Sequence, residues 1–126
     1  MTKSFADLGV PTFLTDALAA RGITVPTPIQ AATLPDSFAG RDVLGRGRTG
    51  SGKSFAFLLP LVARLAADKR RPAPGRPRAL ILAPTRELVT QLDESLQALT
   101  ADTRITSRHL RWRWAGPAGT GAAPGR

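Results

Sequence analysis

Gly47-Arg48-Thr49-Gly50-Ser51-Gly52-Lys53-Ser54 is the stretch that decides how this chain is read. It fits G-x-x-x-x-G-K-[ST], a phosphate-binding loop. Its glycines permit the backbone turns that aim successive N–H groups at phosphate oxygens. Lys53 is placed to reach the β- and γ-phosphates, and the Ser54 hydroxyl to ligate a magnesium ion. A helix starting here adds the positive end of its dipole. The pattern carries weight only between a strand and a helix. Before it, Arg41-Asp42-Val43-Leu44 predicts a short strand. After it, Phe55, Leu58, Leu59, Val62 and Leu65 recur at helical spacing. Pro60 within that run predicts a kink or one lost hydrogen bond.

Upstream, residues 4–21 read as a helix. Leu14, Ala17 and Leu18 share one face, Phe5 and Leu8 lie in the turn before it, and Gly22 ends it. Ile23-Thr24-Val25-Pro26-Thr27-Pro28-Ile29-Gln30 follows, held extended by its prolines, with Pro28 suited to open the next helix. Taken alone, Gln30 reads as a solvated helix residue. Its amide nevertheless offers one acceptor and two donor hydrogens, enough to pair with an adenine edge at two points.

Downstream, residues 66–78 form a Pro-rich basic loop, read as a solvated connection, with contact to RNA phosphates as the alternative. Ala79-Leu80-Ile81-Leu82-Ala83 is a continuous apolar run that suits a strand buried on both faces of a parallel sheet. In Pro84-Thr85-Arg86-Glu87-Leu88-Val89-Thr90-Gln91, Thr85 suits a helix cap. A hydroxyl, a guanidinium and a helix N-terminus together also suit a phosphate. Leu88, Leu92, Leu96 and Leu99 then stripe a helix, with Asp93-Glu94 on its solvated face. Thr103-Arg104-Ile105-Thr106 is the next candidate strand.

The 126 residues carry a net charge of +9, with residues 61–78 contributing +5 and residues 101–126 contributing +4. Such a balance points to a polyanionic partner, although here it is concentrated in two stretches of disordered composition. The apolar content of 42% allows a core, and the absence of cysteine excludes a disulfide scaffold. No apolar run approaches the ~18 residues of a membrane span, and Met1-Thr2-Lys3-Ser4-Phe5-Ala6-Asp7 lacks the apolar core expected of a signal peptide. A cytoplasmic monomer without membrane contact is expected.

These segments together resemble the DEAD-box RNA helicases. Phe5, Gly22 seventeen residues on, and Pro26-Thr27-Pro28-Ile29-Gln30 resemble the family's Q motif. The loop at 47–54 resembles its motif I, with Gly47 in place of the usual Ala and Ser54 in place of the commoner Thr. Residues 84–91 resemble motif Ia, P-T-R-E-L-x-x-Q. The resemblance implies that Phe5 stacks on adenine and that Gln30 reads its edge. It implies that Arg48, Thr49, Gly50, Ser51, Gly52, Lys53 and Ser54 hold the phosphates of ATP, with Lys53 and Ser54 catalytic and Ser54 on Mg. Pro84, Thr85 and Arg86 would contact the RNA backbone. Asp93-Glu94 is not the D-E-A-D box, because Ser95-Leu96 follow it and no strand precedes it.

The resemblance ends near residue 106. From Ser107 the text has no helical or strand period, and Trp112 and Trp114 are flanked by arginines. One reading is a disordered tail that binds single strands by stacking and charge. A sharper one uses codons: Leu110 to Trp114 can be written CTT-CGG-TGG-CGG-TGG, which one base forward reads Phe-Gly-Gly-Gly. The family carries a Gly-Gly motif at about this place, so an out-of-frame tail beginning near residues 105–109 is expected. The closing Ala123-Pro124-Gly125-Arg126, similar to the family's T-P-G-R motif, arrives too early and is read as chance.

The expected fold is α/β: an incomplete P-loop NTPase (RecA-like) parallel sheet with flanking helices and a disordered C-terminal tail. Residues 3–31 form the Q-motif region, 34–106 a partial helicase ATP-binding domain, and 107–126 the tail. The expected function is that of an ATP-dependent RNA helicase. Hydrolysis requires metal, water positioning and charge stabilisation together, and these residues supply only the cradle, so the chain alone is expected to be marginally folded with little ATPase activity. Two rivals are another P-loop protein such as a small-molecule kinase, for which no acceptor site is visible, and a non-enzymatic RNA-binding fragment.

Overall fold

The computed structural model describes residues 3–48, 50, 52–68, 70 and 73–108. Four α-helices order these residues: α1 (Thr12–Ala20), α2 (Pro28–Phe38), α3 (Lys53–Ala67) and α4 (Arg86–Thr100), preceded by a short 3-10 turn at Ala6–Leu8.

The helix predicted over 4–21 is two elements. Gly9 turns the chain at φ 95°, and Pro11, which has no N–H to donate, stands at the N-cap of α1. The C-terminal signal at Gly22 holds. Its φ is 76°, its N–H bonds to the Ala19 carbonyl, and the Ile23 N–H reaches back to Leu18. This pair of bonds is the Schellman arrangement, which satisfies carbonyls the helix end would otherwise leave open. Pro28 opens α2 as expected, and Pro35 and Pro60 sit inside helices that continue through them.

The core is made where the leucine stripes meet. Leu14 and Leu18 of α1, Leu34 of α2, Leu58, Leu59 and Val62 of α3, and Leu92, Leu96 and Leu99 of α4 form one buried cluster with Phe5, Leu8 and Val10. Each fully buried side chain of this kind contributes about 1.5–3 kcal/mol relative to exposure. Residues 3–31 therefore share their core with the segment that follows.

None of the predicted strands forms among the described residues. Residues 41–48 and 79–83 take no regular structure, and 101–104 is a turn in which the Thr103 hydroxyl donates to the Thr100 carbonyl. The reason is physical. A strand needs a hydrogen-bonding partner along its edge and cover on each face to be buried, and here Leu80 and Leu82 are 72% and 84% exposed while Ile81 and Ala83 pack inward.

Because α3 runs to Ala67, the basic loop starts at Asp68 rather than at residue 66. Asp68 staples it. Arg70 binds its carboxylate through side chain and backbone, Arg78 pairs with it at 3.4 Å, and Arg78 also donates to the Leu65 and Asp68 carbonyls. The Arg70 hydrogen bonds hold the Asp68 carboxyl well below the usual carboxylate range.

Asp93 and Glu94 lie on α4; Asp93 accepts from Gln97 and Ser107, and Glu94 is exposed. Among the described residues no helix is long and apolar enough to cross a membrane. Residues 109–126, which carry almost all of the predicted tail, lie outside the described residues.

Candidate functional site

The site is built from two segments that local chemistry brings together. The first is the turn into α2. Gln30 is 2% exposed, so it is not the solvated helix residue its position alone suggested. Its Oε1 accepts the Thr27 N–H at 2.9 Å and its Nε2 donates to the Gly52 carbonyl at 3.0 Å. The first bond is the return half of a capping box, in which the third helical residue reaches back to the N-cap backbone. The second ties α2 to the glycine loop ahead of α3, 22 residues later. Beside them the Thr27 hydroxyl is buried with no hydrogen-bond partner among the described residues.

The second segment is the loop itself. Gly50 and Gly52 take φ values of 80° and 87°, in the left-handed region that favours glycine. Gly52 caps α3, and the helix begins at Lys53. Its opening N–H groups therefore have no intrahelical partners and present the positive end of the dipole. Lys53 is exposed and Ser54 half-buried at the first two helical positions. Between the loop and the first turns of α2 lies a cleft of about 480 Å³, lined by Thr27, Pro28, Ile29, Ala32, Arg46, Gly47 and Gly50.

The electrostatics favour an anion. Among the described residues the ion pairs join Asp36 to Arg41 and Asp68 to Arg70 and Arg78, and none engages Arg46, Arg48 or Lys53. These three cations, the dipole of α3 and the free N–H groups at its start all attract negative charge without competition from a carboxylate. For magnesium the fit is narrower. Ser54 supplies one hydroxyl oxygen, and no group of three metal-ligating side chains occurs among the described residues. A hard cation here would take its remaining oxygens from phosphate and water.

Of the residues predicted for the site, the structure brings Gln30, Gly50, Gly52, Lys53 and Ser54 into one neighbourhood with Arg48. Thr49 and Ser51 lie outside the described residues. Phe5 is not brought to the cleft; it is 3% exposed in the core cluster. Pro84, Thr85 and Arg86 form a separate feature at the start of α4. Thr85 is its N-cap and accepts the Leu88 N–H at 3.2 Å, while Pro84 and Arg86 are exposed. Among the described residues no hydrogen bond or ion pair links them to the loop.

A sequence profile described as DEAD/DEAH box helicase matches residues 27–115, most of the chain. The chain belongs to this family. The match begins at the Thr27 capping residue and runs past residue 107, where the sequence reading places the start of the tail. This helicase-family chain is 45% identical over 105 residues to the ATP-dependent rRNA helicase rrp3 of Sclerotinia sclerotiorum, covering 83% of the chain and 21% of that protein. It is 44% identical over 102 residues to the ATP-dependent RNA helicase SrmB of Escherichia coli, covering 81% of the chain and 23% of the relative. Its fold resembles the crystal structure of the RNA helicase Prp28 from Chaetomium thermophilum bound to ADP. The TM-score is 0.68 at 43% identity, over 76% of this chain and 23% of that one. The helicase-family chain thus spans under a quarter of the length of these three proteins.

Sequence reasoning missed Thr27 and Arg46. The signal for Thr27 was present, since Thr27-Pro28-Ile29-Gln30 is the S/T-x-x-E/Q pattern of a capping box. Nothing in the pattern singles out Arg46, which lines the cleft where the loop passes Ile29 and Thr33.

Proposed function

We propose that this chain carries the ATP-binding part of a DEAD-box RNA helicase that couples ATP binding and hydrolysis to RNA duplex unwinding. The observation that supports it most is the 3.0 Å hydrogen bond from Gln30 to the Gly52 carbonyl. A side chain with donors and an acceptor suited to an adenine edge is wired to the loop suited to phosphates. One nucleotide can then satisfy both ends.

In this reading the Gly50–Ser54 backbone and Arg48 cradle the phosphates, with Thr49 and Ser51 in the same loop, and Lys53 neutralises the β- and γ-oxygens. The Ser54 hydroxyl would hold magnesium together with phosphate oxygens, and the ion would supply charge screening there. Gln30 reads adenine, and Phe5 serves as the upstream stacking aromatic only if it leaves the core. Pro84, Thr85 and Arg86 hold the RNA backbone at the N-terminus of α4. In the whole protein the unpaired segments at 41–48 and 79–83 belong to a RecA-like parallel sheet. The water-positioning carboxylates come from outside these residues. A cytoplasmic, monomeric protein without membrane contact completes the proposal.

The test is calorimetric titration of the 126-residue chain with a non-hydrolysable ATP analogue and with its GTP counterpart. Binding that prefers ATP, is lost in Lys53→Ala and loses its base preference in Gln30→Ala is the expected result. Binding indifferent to Lys53, or equal for the two nucleotides, overturns it.

A further inference from the structure

We propose that Arg21 is a positioning residue for the nucleotide loop, acting through Phe55. The guanidinium carbon of Arg21 lies over the Phe55 ring, 5.9 Å from its centroid. Among the described residues this ring contact is the one interaction its side chain makes. Arg21 caps the end of α1, where the Gly22 turn fixes the direction of the chain. Phe55 is the third residue of α3, next to Ser54, and its half-buried ring packs against the core.

From Arg21 the chain runs through the Pro26 segment to Thr27 and Gln30. One connector therefore grips the start of α3 twice: Gln30 holds the Gly52 carbonyl, and Arg21 covers Phe55. Between these grips stand Lys53 and Ser54.

The double grip matters because this helix start is weak on its own. The Ala56 N–H reaches the Gly52 carbonyl at 3.3 Å, and that carbonyl also accepts from Gln30. The N–H groups before Ala56 have no partner within the helix. A tilt of this turn would move the Lys53 ammonium and the Ser54 hydroxyl together. A guanidinium suits the task, because its flat face stacks on a ring and keeps its charge at any working pH.

The test uses the full chain and two readouts. The first is amide hydrogen exchange at Ala56, which needs no ligand. Arg21→Ala and Phe55→Leu are each expected to speed it about two- to five-fold, the factor an exposed cation–π contact supports. The double variant is expected to go no further than the larger single effect, and the Leu92 and Leu96 amides to stay unchanged under Arg21→Ala. The second readout rests on the ATP-binding reading above. Affinity for a non-hydrolysable ATP analogue should fall by a similar factor in Arg21→Ala and recover in part in Arg21→Lys. Wild-type protein without Lys53-dependent binding would remove the ATP reading, and the exchange data would still decide the role of Arg21. Ala56 exchange unmoved by Arg21→Ala, or single effects that simply add, overturns the proposal.

Discussion

Replacing Gly52 by alanine tests the geometry of the site most directly. An added Cβ would stand 2.6 Å from Gln30 Nε2, 2.7 Å from Thr27 Oγ1 and 2.9 Å from Thr27 Cγ2. None of these atoms can give way freely, because Gln30 is 2% exposed and the Thr27 hydroxyl is buried. The φ of 87° adds a second cost, about 1–2 kcal/mol for a residue with a Cβ in the left-handed region. Displacing the Gln30 amide removes its bond to the Gly52 carbonyl, a further ~1–3 kcal/mol when a buried group is left unpaired. The total expected loss is ~2–5 kcal/mol. Gly50→Ala separates the two costs. Its φ is 80°, yet a Cβ there meets nothing within 4 Å among the described residues. It should therefore lose only the backbone share. Urea unfolding followed by circular dichroism on both variants gives the comparison. Gly52→Ala losses equal to or smaller than those of Gly50→Ala would refute the close approach of α2 to the loop.

Three further outcomes are expected. Gln30→Ala should cost ~1–3 kcal/mol of stability, because it strands the Thr27 N–H and frees the Gly52 carbonyl, and urea titration reads the loss. Thr85→Ala should cost ~1 kcal/mol through loss of the cap on the Leu88 N–H, seen as faster amide exchange in the first turn of α4 while the α3 amides are unmoved. The Asp68 carboxyl is depressed by Arg70, so the stability it contributes is present above the ordinary carboxylate pKa and is lost only as pH falls through the lower folded value. Carboxyl carbon shifts recorded from pH 6 downward should show Asp68 still ionised below the ordinary carboxylate range, and Arg70→Ala should bring its titration back up toward that range.

What was legible in the sequence follows from the range of the interaction that fixes each element. The stripes of α3 and α4 are local periodicities, and the structure buries Leu58, Leu59, Val62, Leu92, Leu96 and Leu99 as the spacing required. Caps are local too, so Pro28, Gly22 and Thr85 stand at helix ends as read. The break at Gly9 to Pro11 was equally local, but the apolar spacing of Phe5, Leu8 and Leu14 bridged it and concealed two elements behind one period. Strands are different, because pairing belongs to two segments and not to one. The run at 79–83 has the right residues, yet Leu80 and Leu82 stay exposed instead of being covered, and composition cannot provide the neighbour that would close its hydrogen bonds.

Gln30 lies between these cases. Its bond to Thr27 could be read from the Thr-x-x-Gln spacing. That same bond turns the side chain back from solvent and leaves the amide nitrogen pointing at a carbonyl 22 residues away. A local cap thus fixes a long-range contact, and through it the position of the loop. This ordering explains why the glycine loop and its capped neighbour come together among the described residues while the sheet does not. That meeting depends on a glycine turn, a helix start and a capped neighbour, all supplied within residues 21–56. Sheet closure depends on partners that this stretch does not contain.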